Sequence, residues 1–420
     1  MAYPRHLNLQ LLCKLSTKSV KEMMDIWPEL PIYICAIGTF PTEEERDDCI
    51  ASLRLSRRVS GICLNLTSRT AWKSFLSLMR QPFPALTHFS VQTDVVFPSI
   101  SSSFLGGSAP SLQAVRVLGV PFPALPELLL SATNLVHLSY ENISSSGYIS
   151  PQSMVTGLSA LTRLESLSLL FLSRDLPDRA TRIPPRHMHT LLPALIDLRF
   201  RGSPEYLEDI VAQMDARLLE RFEITLFHGR FPKILELAKF VCRADKLSVA
   251  DGAQVIFTPW SISIRLSENL IGVDPKTLEL KFLCHKSQFR LPYLVELCAS
   301  CFPTPSPFES LLINIQRRSW QDDNPDPQWL ELLRLFNNVK CLGLANPVAC
   351  SVAHALGELP AERVMEVLPA LEFVFMAEFD PFGSVKEAIS KFADARQLSG
   401  LPVSIHDICY WKEGNGSSGG

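Results

Sequence analysis

Cys298 and Cys301 form the one CxxC of the chain, and a Cys284-His285 pair precedes it. Thiolate and imidazole at such spacings hold zinc, and a CxxC alone can cycle between dithiol and disulfide. A structural zinc site needs two knuckles at tight spacing, and this chain has one. Leu294, Leu297, Cys298 and Cys301 also follow helical spacing, which reads as packing. His187-Met-His189 offers two imidazoles in a polar loop with no third ligand beside them. The GG of FLGGSAP, Phe104 to Pro110, suits a turn before a strand better than a phosphate cradle. HExxH, GxSxG, P-loop and GxGxxG patterns are absent. The expectation is no catalytic residue, no cofactor, no metal, and so no enzyme. Triad partners remote in sequence are the arrangement this search does not reach.

The remaining composition bounds the class. The chain has 420 residues, 47% of them hydrophobic, enough for a large core. Its formal net charge of −3 argues against a nucleic-acid binder. No basic run followed by a long apolar stretch opens it, and no apolar run approaches a membrane span. The eleven scattered cysteines therefore read as reduced thiols acting as small buried hydrophobes. The expected location is cytoplasmic, nuclear or both.

What would position any functional residue is a repeat. FPALTHFSV (83–91), LPALIDLRF (192–200) and LPALEFVFM (368–376) share a template: apolar, two free positions, apolar, one free position, apolar. It fits twelve times. The matches run from Val59/Ile62/Leu64 through Leu86/Phe89/Val91, Leu112/Val115/Val117, Leu135/Leu138/Tyr140, Leu164/Leu167/Leu169 and Leu195/Leu198/Phe200. They continue through Leu219/Phe222/Ile224, Ala244/Leu247/Val249, Pro275/Leu278/Leu280, Phe308/Leu311/Ile313, Val339/Leu342/Leu344 and Leu371/Val374/Met376. Successive matches are 23 to 33 residues apart, and those at Ala244 and Pro275 are the weakest.

The last two apolar positions of each match are two apart, so they share one face of a strand. One unit cannot bury that face alone, whereas stacked units can. The prediction is an α/β leucine-rich-repeat solenoid, or horseshoe. Its parallel strands lie on the concave side, with helices or helical turns on the convex side. Pro84, Pro110, Pro193 and Pro369 mark strand entries. SPEYLEDIVAQM predicts a helix with Ser203 as N-cap and Pro204 at its first position; DPQWLELLRLF repeats the device with Asp326 and Pro327. AWKSFLSLM and VKEAISKF also read as helices.

Residues 1–58 are expected to form an N-terminal segment and cap, with a helix from Thr42 and Glu45 as its capping partner. Residues 59–411 form the solenoid of about twelve irregular repeats, and 412–420 a disordered tail. Polar insertions are expected at 173–187 and 317–327. On the concave face the free strand positions are the binding surface. The candidate protein-contact residues are Arg116, His137, Glu141, Arg199, Arg201 and Glu223. His88 and His137 occupy equivalent positions two repeats apart. Phe373 and Phe375 point outward, which predicts either burial under a C-terminal cap or a register shift of one residue there.

RHLNLQLLCK with DIWPELPIYI, FPALTHFSV, the block from Phe104 to Phe171, LPALIDLRFRGSPEYLEDIVAQMDA, QWLELLRLFNNVKCLGLA, EVLPALEFVFMAE and ARQLSGLPV carry a closer likeness. In these stretches, spread over nearly the whole chain, it resembles the leucine-rich F-box proteins of basidiomycete fungi. That resemblance implies a non-enzymatic protein-binding module, the substrate-recognition region of an F-box subunit of a cullin–RING ubiquitin ligase. The alternative is a stand-alone scaffold without a ligase role. RHLNLQLLCK resembles the segment just after the F-box, and no LPxEL-like opening precedes it. Contact with the ligase adaptor is therefore expected only if an F-box lies upstream in frame or another surface replaces it. The partner is expected to be a protein held on the concave face, with no nucleic acid and no membrane.

Overall fold

The computed structural model describes residues 9–12, 30–36, 52–65, 67–94, 98–172, 190–226, 235–245, 250–258, 261–267, 278–283, 291–302, 307–315, 328–345, 348–377 and 384–408. The chain divides into two compact units, Met1–Ala216 and Arg217–Gly420. Each is a mixed α/β structure on an open, mostly parallel sheet.

In the first unit the sheet runs in chain order through β1 (Leu9–Leu12), β2 (Ile32–Ala36), β3 (Val59–Asn65), β4 (His88–Gln92), β5 (Ala114–Leu118), β6 (His137–Ile143), β7 (Ser166–Phe171) and β9 (Asp197–Gly202). All neighbours in it are parallel. The two-residue strands β8 (Thr190–Leu191) and β10 (Met214–Asp215) form a separate parallel pair. The apolar template explains the register. Phe89, Val115, Leu138, Leu167 and Leu198 are directly paired in a row, as are Val91, Val117, Tyr140, Leu169 and Phe200. All are buried. The template's first residues, Leu86, Leu112, Leu135, Leu164 and Leu195, are buried beside them. Each buried aliphatic or aromatic side chain contributes about 1.5–3 kcal/mol, which is why stacking is favourable although one repeat alone is not.

Helices and turns cover that face. They are α1 (Arg69–Leu78), α2 (Leu125–Leu129), α3 (Pro151–Leu158) and α4 (Pro204–Val211). α4 begins as the sequence predicts: the Ser203 hydroxyl accepts from the Tyr206 N–H at 3.2 Å, with Pro204 at the first turn. α3 uses the same device unannounced, with Ser150 accepting from Ser153 N–H at 3.1 Å. The Tyr206 ring meets Phe171 at 4.7 Å and Phe200 at 5.9 Å between centroids, joining α4 to the sheet. FLGGSAP is a turn, as expected. Leu105, Gly106 and Gly107 all have positive φ, tolerable for the glycines and held at Leu105 by burial of its side chain.

In the second unit the sheet order is β11 (Arg221–Leu226), β14 (Leu278–Leu283), β13 (Ser261–Ser267), β12 (Gly252–Phe257), β15 (Ser310–Ile315), β16 (Cys341–Leu344), β17 (Phe373–Ala377) and β18 (Ser404–Ile408). Here the all-parallel expectation fails. β13 is antiparallel to both β12 and β14. The chain turns back on itself after Phe257, where the Thr258 N–H reaches Ser261 O at 2.8 Å and the Thr258 hydroxyl accepts from the Ser261 N–H at 2.9 Å. Helices α5 (Leu235–Cys242), α6 (Leu291–Cys301), α7 (Gln328–Arg334), α8 (Val348–Gly357) and α9 (Ser384–Leu398) complete the unit. Cys298 on α6 is buried, as is Leu294.

A second regularity links neighbouring repeats. The turn before a strand exposes carbonyls that a side chain about one period later takes up. Ser111 donates to Pro84 O at 2.7 Å, Asn134 to Pro110 O at 2.9 Å, and Arg58 to Leu30 O at 3.0 Å. Arg396 on α9, only 1% exposed, donates to Leu368 O, Pro369 O and Leu371 O at 3.0–3.1 Å. Burial lowers its pKa from the usual value.

The residues assigned to an N-terminal cap contribute two strands, β1 and β2, to the first unit's sheet. The expected helix from Thr42 with Glu45, the insertions at 173–187 and 317–327, and the tail at 412–420 lie outside the described residues. So do His187, His189, Leu247, Val249, Pro275, Cys284, His285, Asp326 and Pro327.

Candidate functional site

One face of each sheet is packed by the apolar template and the other carries the free positions, because side chains alternate along a strand; in the second unit Ile256, Leu312 and Ser263 on that side are buried. In the first unit the open-face positions form three directly registered rows. One runs Gly61, His88, Ala114, His137, Ser166, Asp197. The next runs Cys63, Ser90, Arg116, Ser139, Ser168, Arg199, and the third Asn65, Gln92, Leu118, Glu141, Leu170, Arg201.

Five of the six residues singled out from the sequence fall on this surface. Arg116 on β5 is exposed, and its Nη2 lies 3.9 Å from Glu141 Oε2 on β6. Glu141 also accepts a hydrogen bond from the Ser139 hydroxyl on its own strand. Arg199 on β9 is exposed, with Nε 3.5 Å from Asp197 Oδ1. Arg201, also exposed, is two residues further along β9. His137 is exposed in the same row as His88, with Ala114 between them. The two residues are therefore two strand spacings, roughly 10 Å, apart along the row. These ion pairs are solvent-facing, and such pairs contribute about 0–1 kcal/mol. A partner's charges can exchange with them at little cost.

Glu223, the sixth, belongs to the second unit. There Lys281 Nζ lies 3.4 Å from Glu223 Oε1. Arg265 Nη2 lies 3.4 Å from Glu279 Oε1, and Glu279 is also registered against Arg221. The result is a ladder of alternating charge across β11, β14 and β13. Arg265 escapes the sequence reading because none of the twelve matches falls on β13.

Beyond this ladder the open face turns aromatic. Phe373 and Phe375 on β17 keep the register that the template assigns, alternating with buried Val374 and Met376. They are half-buried. Their rings lie 6.3 Å apart, and His406 on β18 stacks at 5.4 Å from Phe375 and 5.9 Å from Phe373. β18 lengthens the sheet and brings His406 beside them, so neither a register shift nor full burial describes these phenylalanines. Gly343 stands beside Phe375 in the ladder, and Leu312 leans over the space where a side chain would be. Aromatic rings with a polar edge are favoured contact groups at interfaces.

Among the described residues, five of the six cysteines whose burial is given depart from the expected burial. Cys298 is buried, Cys35, Cys63, Cys341 and Cys350 are half-exposed, and Cys242 is exposed. Burial pushes the Cys341 thiol up, helped by Glu372 and Glu309, and burial raises Cys242 as well. Among the described residues no group of three or more His, Cys, Asp or Glu is placed to hold a metal ion. No described helix is long and apolar enough to cross a membrane.

No protein-family model matches the chain, and no curated protein matches it in sequence.

Proposed function

We propose that the chain is a leucine-rich-repeat solenoid that acts as a non-enzymatic protein-binding module. In this reading it is the substrate-recognition region of an F-box-type subunit of a cullin–RING ubiquitin ligase, working in the cytoplasm or nucleus. The observation that carries the binding role is the open strand face. Repeat after repeat it offers Arg116, His137, Glu141, Arg199 and Arg201 in the first unit. In the second it offers the Glu223–Lys281 ladder and the Phe373/Phe375/His406 stack. Mixed charge with an aromatic anchor suits a protein partner better than a polyanion. The solenoid reading rests on the template's period and on its buried, directly registered rows. The ligase reading rests on the sequence resemblance.

The test is an affinity capture from the host with the wild-type chain and with two open-face variants, Arg116→Glu/Arg199→Glu and Phe375→Ala. Each position is exposed or half-buried, so folding should persist. Proteins lost from either variant are partners of that unit's open face. Co-purification of the adaptor and cullin supports the ligase role. Captured proteins without either leave a stand-alone scaffold. Identical captures from wild type and variants overturn the assignment of the face.

A further inference from the structure

Cys35 on β2 and Cys63 on β3 are direct register partners in neighbouring parallel strands. Each alternates with buried residues, Ile34 on one strand and Ile62 and Leu64 on the other, so both sulfurs emerge on the open face. Both are half-exposed. Registered neighbours have Cα atoms about 4.8 Å apart, inside the roughly 4.4–6.8 Å over which a disulfide closes. The surroundings are arranged around the pair. Gly61, two residues before Cys63, leaves β3 bare, and the Tyr33 ring lies across it where any side chain would collide. The Tyr33 phenol is pushed up by burial and by the nearness of both sulfurs, Cys63 first. The strand pairing also slips by one residue between Ile32 and Tyr33, and this slip is what sets Cys35 opposite Cys63.

We propose that Cys35 and Cys63 form an oxidisable dithiol, a modification site for hydroperoxides that closes into a cross-strand disulfide. One thiolate attacks the peroxide: a sulfur–oxygen bond forms, the oxygen–oxygen bond breaks, and water or an alcohol leaves. The resulting sulfenic acid is then attacked by the second thiol. The sulfur–sulfur bond forms, the sulfur–oxygen bond breaks, and a second water leaves. Two thiols lose two electrons and the peroxide gains them. Parallel registered Cβ atoms start about as far apart as the strands, beyond the roughly 3.8 Å a relaxed disulfide favours, so the bond is strained and readily reduced. This site is independent of the protein-binding reading.

The experiment exposes the purified full chain to hydrogen peroxide at neutral pH, then maps peptides by mass spectrometry without reductant. The expected result is a Cys35–Cys63 linked peptide, with both thiols lost together to alkylation and both restored by dithiothreitol. Cys35→Ser and Cys63→Ser should each abolish the linked peptide and leave the remaining cysteine to oxidise further, to sulfinic acid. The proposal is overturned if the wild-type chain carries separate sulfenic or sulfinic acids at these positions. Linkage of either cysteine to another cysteine, or two thiols that outlast those elsewhere, overturns it equally.

Discussion

Replacing Arg396 with methionine should unfold the second unit at a markedly lower temperature. The guanidinium is 1% exposed and fills the turn before β17, where it donates to three carbonyls at 3.0–3.1 Å. Leu368 in that turn has φ 48, a left-handed conformation that costs a non-glycine residue about 1 kcal/mol or more. Arg396 clamps it. Methionine keeps most of the aliphatic stem but leaves the Leu371 carbonyl buried without its Arg396 donor, while the Leu368 carbonyl keeps the Leu371 N–H at 3.0 Å. Such a group costs about 1–3 kcal/mol. The half-exposed Pro369 can turn to water. The lost second bond to Leu368 adds to this and relief from burying the charge offsets part of it, so the net is on the order of 2 kcal/mol. For a unit of this size that corresponds to a fall of about 4–8 °C in the unit's transition. Differential scanning calorimetry reads it directly. Arg396→Lys should recover only a fraction, because one ammonium cannot span three carbonyls. A melting point for Arg396→Met within about 2 °C of wild type would refute the clamp.

Other expectations follow from the same contacts. Tyr140 donates to Gly147 O and accepts from the Phe122 N–H, both at 2.9 Å, so Tyr140→Phe should cost about 1–3 kcal/mol in urea unfolding. Burial pushes the Tyr140 phenol up to about 12 from 10.0, so its ionised form is disfavoured in the folded state. Stability from this group is intact below pH 10 and is lost as pH rises toward 12; Tyr140→Phe should flatten that part of the alkaline profile, while buried Tyr206 leaves a remainder. Ser203→Ala removes the cap of α4 and should cost about 1 kcal/mol, with Ser203→Asn restoring it. Arg116→Ala breaks only an exposed 3.9 Å pair and should shift stability by less than about 0.5 kcal/mol.

Much of the sheet is legible in the sequence because the inward rows are aliphatic or aromatic at a fixed offset. Phe89, Val115, Leu138, Leu167 and Leu198 announce themselves. β2 does not. Its frame, Pro31/Ile34/Ala36, puts the two weakest apolar residue types of the template together, so it does not stand out although Ile34 pairs directly with Ile62. β13 is hidden for another reason. SISIRLS alternates like any strand, and alternation records which face a side chain takes without recording the chain's direction. The open face is half legible. The template fixes which residues point outward, hence Arg116, Arg199 and the two phenylalanines. Their companions come from strands it does not mark: Arg265 beside Glu279, and His406 beside Phe375. Nor could one-dimensional spacing place Cys35 opposite Cys63, since that pairing depends on the slip at Tyr33.

The reversal at β13 constrains how the second unit can be assembled during synthesis. The chain emerges as β11, β12, β13, β14, yet in the sheet β14 lies against β11, and β12 lies against β15. When β12 leaves the ribosome its place is not beside the strand made before it. The β11 edge that will receive β14 stays unpaired until residue 283 has been made. A parallel repeat array can lengthen one rung at a time behind the ribosome. This segment must wait for a three-strand meander to form and dock as a piece, closing a long loop before any contact with β11 rewards it. The pause falls where an exposed strand edge is most open to capture by a chaperone or by another chain.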